Sequence, residues 1–114
     1  ALTCAAANAS TRYIIENDIP SHAHQMGELL RSRLEELKSK HMSIVDIRGM
    51  GLLFACQFDS EISGKVVSSC NQLGLLLNQV KPNAIRLMPP LTVTEHEIDL
   101  AVSILDEGIT EANK

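Results

Sequence analysis

Two short apolar runs, Ser43 to Arg48 and Leu52 to Phe58, are separated only by Gly49, Met50 and Gly51. The first is β-branched at Ile44, Val45 and Ile47, and the second carries Phe54 and Phe58. Residues of these types fit a pleated, half-buried surface, so both runs read as strands. Two glycines spaced two apart between strands predict a tight connection or a bulge, where a side chain would clash. Leu75–Gln79 and Ala84–Leu87 read as two more strands. Lys81-Pro82-Asn83 turns the chain between them, and Pro89-Pro90 stops the second.

Helical patterns surround these strands. Ala1 to Asn17 is rich in alanine, a strong helix former, and reads as a buried or semi-buried helix that starts without a cap. Pro20-Ser21 then punctuates, and Ser21 is the expected N-cap of a second helix reaching about Lys40. Its apolar face is Ala23, Met26, Leu29, Leu30, Leu34 and Leu37. Arg31, Arg33, Glu35, Glu36, Lys38 and Lys40 lie mostly off that face, with Glu36 and Lys40 spaced as an i, i+4 pair. Ser60 is the expected cap of a third helix through about Leu73, with Ile62, Val66, Val67, Cys70 and Leu73 on one side. Gly74 suits its left-handed C-terminal position. Thr94 followed three residues later by Glu97 has the form of a capping box. It opens a last helix with the stripe Ile98, Ala101, Val102, Leu105 and Ile109. The order α-α-β-β-α-β-β-α predicts a small α+β domain, a mixed or antiparallel sheet with helices packed on it. Residues 1–114 are expected to form one domain, too short for two.

Composition excludes several roles. Ten Lys and Arg against fourteen Asp and Glu give a net charge of −4, which argues against nucleic acid or anionic lipid as the main partner. Aromatic residues make up 3%, too few for a base-stacking platform. No apolar run is long enough to span a membrane, and no signal peptide is expected, because Asn8 to Arg12 interrupt the first apolar stretch. Cys4, Cys56 and Cys70 are odd in number and widely spaced, so free, buried thiols and a cytoplasmic location are expected.

Few residues carry the marks of chemistry. His22 and His24 fall on different helix faces, and His96 sits among Glu95, Glu97 and Asp99 in a first helical turn, where carboxylates complement the dipole. No metal site is expected from either group. The glycine-rich phosphate loops and the nucleophile elbow are absent from the sequence. None of Lys38, Lys40, Lys65, Lys81 and Lys114 sits in an apolar setting that would make it a Schiff-base nucleophile. Arg86 stands out, flanked by apolar residues and followed by two prolines that fix the backbone beyond it. A guanidinium presented from such an edge either grips a carboxylate in bidentate fashion or pairs with an internal Asp or Glu.

The ordered set of segments resembles a known family. Ile47-Arg48-Gly49-Met50-Gly51-Leu52-Leu53-Phe54 is similar to the RGxGL hairpin of class III aminotransferases of the ornithine and acetylornithine type. Ala84-Ile85-Arg86-Leu87-Met88-Pro89-Pro90-Leu91 is similar to their segment ending in PPL, and Leu91 to Ile98 to the start of their closing helix. Leu2 to Ala7 resembles the alanine-rich helix that opens their C-terminal part, and Gly27-Glu28-Leu29-Leu30 with Leu34 and Leu37 fits their next helix. The likeness covers essentially the whole chain. Bacterial acetylornithine enzymes look most similar, and ornithine and 4-aminobutyrate enzymes share these segments.

The resemblance implies the C-terminal domain of a pyridoxal-phosphate enzyme of fold type I, a homodimer. Such an enzyme of arginine biosynthesis transfers an amino group between N-acetylornithine and 2-oxoglutarate. It implies that Arg86 is the substrate-binding residue that grips a substrate carboxylate. Gly49 and Gly51 are structural, and no catalytic, cofactor-binding or metal-binding residue is assigned. The family's Schiff-base lysine, its pyridine-nitrogen aspartate and its phosphate loops lie in a large domain upstream, with no counterpart in these residues. The chain alone is therefore expected to bind no pyridoxal phosphate and to be inactive, its first partner being that large domain. Exposed apolar surface where the large domain would sit predicts self-association of the separate chain. Two other readings stay open: a free-standing module that senses a small acid through Arg86, and a purely structural or dimer-forming domain.

Overall fold

The four strands form one antiparallel sheet in the order β1-β2-β4-β3, in a computed structural model that describes residues 1–114. The strands are β1 (Ile44–Met50), β2 (Leu53–Phe58), β3 (Asn78–Lys81) and β4 (Ala84–Leu87). The helices are α1 (Leu2–Glu16), α2 (Ile19–Lys40), α3 (Ser63–Gln72) and α4 (Glu95–Ala112), in the order expected from the sequence. All three strand pairings are antiparallel. No helix is long and apolar enough to cross a membrane.

Alternation along the strands decides which face is covered. Ile47, Phe54, Cys56, Phe58, Ile85 and Leu87 are buried on one face. They join Leu30, Leu34 and Leu37 of α2, Val66 and Cys70 of α3, and Ile98, Leu105 and Ile109 of α4 in one core. α2 packs on β1, α3 packs on β3 and β4, and α4 packs on both of these helices. The other face is open: Arg48, Met50, Leu53 and Arg86 are exposed there. Two glycines set how closely the covering layers approach. A Cβ on Gly27 would meet the backbone of Gly51 at 2.3 Å, and one on Gly108 would meet Cys70 Sγ at 2.5 Å.

The hairpin between β1 and β2 closes through Gly51 and Leu52, with Met50 paired to Leu53. Gly51 takes a φ of 55°, the conformation that a two-residue hairpin loop demands at this point. Gly49 is paired in register with Phe54, so no bulge occurs at the glycines. The register shifts instead between Ile44 and Asp46, and again between Gln79 and Lys81. β-Branched Val45 and Val80 occupy those shifts.

Several local expectations are corrected. α1 is helical as its alanines require, but none of its residues is buried, and Leu2 and Ile15 lie wide open. Alanine content fixes helicity; it does not supply a surface to pack against. Cys4 is exposed with that helix, while Cys56 and Cys70 are buried. α2 starts two residues before Ser21, from Asp18 in the left-handed conformation (φ 44°), with Pro20 in its first turn. α3 starts at Ser63, and Ser60, whose hydroxyl donates to Asp59, caps nothing. Ser63, wholly buried, places its hydroxyl 2.6 Å from the carbonyl oxygens of Lys81 and Pro82, and it accepts from Gln79 Nε2 at 3.0 Å. β3 begins at Asn78, so Leu75 to Leu77 lie outside it, with Leu75 and Leu77 partly buried against the core. Gly74 has the positive φ expected of it.

Candidate functional site

Arg86 lies on β4, an interior strand paired with β2 on one side and β3 on the other. Its neighbours Ile85 and Leu87 point into the core, so Arg86 points to the open face. Directly paired residues of an antiparallel sheet share a face. The register therefore places Arg48, Ala55, Arg86 and Asn78 in one row across all four strands. A neighbouring row holds Met50 and Leu53, both exposed.

The charged groups of this row differ in what they touch. Arg48 Nη1 donates to Asp46 Oδ2 at 2.5 Å and to Gln57 Oε1 at 2.9 Å, so its fork is taken up on its own side of the sheet. Arg86 makes no ion pair and no side-chain hydrogen bond within the chain, whereas Arg31, Arg33 and Arg48 each do. Of the two roles open to Arg86 from sequence, pairing with an internal Asp or Glu does not occur. The guanidinium is left with its donors free, on a strand whose backbone is bonded on both sides.

Beyond Arg86 the chain runs through Met88, Pro89 and Pro90 to Val93, bordering a groove of about 320 Å³. Leu75, Leu76, Leu77, Asn78, Arg86 and Met88 line one part of it, and Ile98 and Ala101 of α4 another. This segment is pinned at its far end. His22 Nε2 lies 2.8 Å from the Val93 carbonyl oxygen, which accepts from it. The expected capping box follows: Glu97 N–H donates to Thr94 Oγ1 at 3.3 Å and Thr94 N–H donates to Glu97 Oε2 at 2.8 Å. Hydrogen bonds from the Thr94 backbone and hydroxyl hold the Glu97 carboxyl below its ordinary range.

Other charged side chains serve the fold. Arg31 donates to the Gly49 carbonyl and lies 5.0 Å from the Phe54 ring centroid, tying α2 to the hairpin. Arg33 Nε donates to Asp99 Oδ1 at 2.7 Å. The expected Glu36–Lys40 pair does not form: Glu36 meets Arg33, and Lys40 reaches Asp106 on α4. His41 Nε2 also meets Asp106, at 2.6 Å. No three His, Cys, Asp or Glu side chains gather closely enough to hold a metal ion. Lys40, Lys65, Lys81 and Lys114 are exposed and Lys38 is half-buried, and none of the five borders the groove beside Arg86. The residues of this chain do not fit a Schiff-base site for pyridoxal phosphate.

The sequence and the fold recur in known proteins. The family model for class-III aminotransferases matches residues 1–109. The chain is 38% identical, over 96% of its length, to acetylornithine aminotransferase from Caldanaerobacter subterraneus subsp. tengcongensis. It is 39% identical, over 95% of its length, to acetylornithine aminotransferase from Bacillus subtilis. It spans 28% of each of these relatives. The crystal structure of acetylornithine aminotransferase from Elizabethkingia anophelis superposes with a TM-score of 0.90 at 32% identity, covering 96% of this chain and 30% of that one. A match over nearly every residue, in sequence and in fold, identifies the chain as a member of the class-III aminotransferase family.

Proposed function

We propose that this chain acts as the C-terminal, substrate-side portion of an acetylornithine aminotransferase, a single domain whose large partner domain belongs to the same enzyme. Class III aminotransferases use pyridoxal phosphate, which the large domain would hold through its own lysine. The share of each relative that the chain spans supports this division of labour. In the whole enzyme, a homodimer serving arginine biosynthesis, Arg86 binds the carboxylate of N-acetylornithine, of 2-oxoglutarate, or of both in turn.

One observation carries the role of Arg86: a guanidinium with no partner in the chain, held on an interior strand at the rim of a groove. Its planar fork matches a carboxylate in two parallel N–H···O bonds, and its rigid base fixes where the acid end of the substrate rests. Holding that end orients the reacting amino or keto carbon without Arg86 itself reacting.

The test is steady-state kinetics of the complete enzyme with Arg86→Ala. Loss of two charge-assisted hydrogen bonds raises KM for the bound substrate by roughly a hundredfold. Wild-type KM values for both substrates would end this reading of Arg86.

A further inference from the structure

Resting on the role proposed for Arg86, we infer that Asn78 is a second substrate-binding residue, its side-chain amide donating to the same carboxylate. The sheet register makes the two residues direct cross-strand partners on β3 and β4. Such partners have Cβ atoms about 5 Å apart on one face, close enough for a carboxylate to touch both side chains. Both residues border the same groove.

The rest of the row cannot serve. Arg48 is occupied by Asp46 and Gln57, and it stands two strands, about 10 Å, from Arg86. Ala55, between them, offers only a methyl group. Asn78, like Arg86, makes no side-chain hydrogen bond within the chain, although its neighbour Gln79 is committed to Ser63. Across four strands, the only free polar side chains in the row are thus adjacent and of complementary kind. Arg86 supplies charge and a fork; Asn78 supplies one N–H from the side. A carboxylate has lone pairs left after accepting a bidentate pair, so the third donor does not compete with the fork.

The experiment uses the complete aminotransferase and compares Asn78→Ala, Asn78→Asp, Arg86→Ala and the double variant Asn78→Ala/Arg86→Ala. One hydrogen bond to a charged group corresponds to roughly a tenfold rise in KM for Asn78→Ala, on the substrate that Arg86→Ala weakens, with kcat nearly unchanged. Asn78→Asp places a carboxylate beside Arg86 that competes with the substrate, so its KM rises further than that of Asn78→Ala. In the Arg86→Ala background, Asn78→Ala adds much less than tenfold. A role confined to holding β3 in place would not reproduce this dependence on charge and on Arg86. Wild-type KM in both Asn78 variants, with Arg86→Ala still impaired, overturns the role of Asn78 and leaves that of Arg86 standing. Wild-type KM in Arg86→Ala overturns the reading of the site, and this inference with it.

Discussion

A methyl group on Gly27 would come within 2.3 Å of the Gly51 carbonyl oxygen and within 3 Å of two more backbone atoms of that residue. The middle of α2 therefore rests directly on the β1–β2 loop. On helix propensity alone, Gly27→Ala would stabilise by about 1 kcal/mol. Backbone cannot swing aside as a flexible side chain can, so the clash prevails. The expected net loss is about 2 kcal/mol. Urea denaturation of the chain checks it, and a midpoint at or above the wild-type value would contradict the contact.

Acid should unlock the junction of α2 and α4. Burial pushes the Asp106 carboxyl up, but hydrogen bonds from Lys40 and His41 outweigh it and hold the group below its usual 3.8. A depressed carboxylate contributes stability above its unfolded pKa and loses it as pH falls through the folded value. The loss thus starts near about pH 4 and grows below it. Asp106→Asn removes the pairs at neutral pH, costing about 1 kcal/mol, and flattens the acid limb. Thermal melts of both proteins between neutral and acid pH measure it. An acid limb equally steep in Asp106→Asn would refute the assignment.

Thiol chemistry should divide the cysteines by location. Burial pushes Cys56 up to about 12 and Cys70 up to about 11, whereas Cys4 lies exposed on α1. The thiolate is the reactive form, and neither buried residue supplies it at neutral pH. One equivalent of a maleimide should therefore react quickly at Cys4, and the other two only after denaturant is added. Three rapid equivalents under native conditions would contradict the core packing.

Arg86→Lys separates charge from shape. Lysine keeps the positive charge but loses the planar fork. In the complete enzyme it should recover about one order of magnitude of the roughly hundredfold KM increase expected of Arg86→Ala. Full recovery by lysine would mean that charge alone is read at this position.

What could be foreseen from sequence was what neighbouring residues decide among themselves. The box of Thr94 and Glu97 needs only three residues of separation, and Ala84–Leu87 is bounded by its own turn and prolines. Sequence misleads where a distant segment chooses the outcome. Ser63 rather than Ser60 opens α3 because the carbonyls of Lys81 and Pro82 are there to meet its hydroxyl. Lys40 is spaced for Glu36, yet it reaches Asp106 on α4 instead. Gly27 and Gly108 carry no local turn signal, since their reason is the layer above them. Arg86 was visible as unusual from its apolar flanks and prolines. Its lack of any partner, and its pairing with Asn78, required the sheet register.

β4 is bonded along both margins, so Arg86 cannot slide by a residue without tearing two ladders at once. As the proposed acid anchor, Arg86 would be a fixed post, and any closure around a bound molecule would have to carry the entire sheet as a rigid plate or bring the opposite wall towards it. Under that proposal, selectivity for the length of a substrate would be a matter of the gap between two stiff bodies, tuned by how far they travel and not by flexing of the post itself.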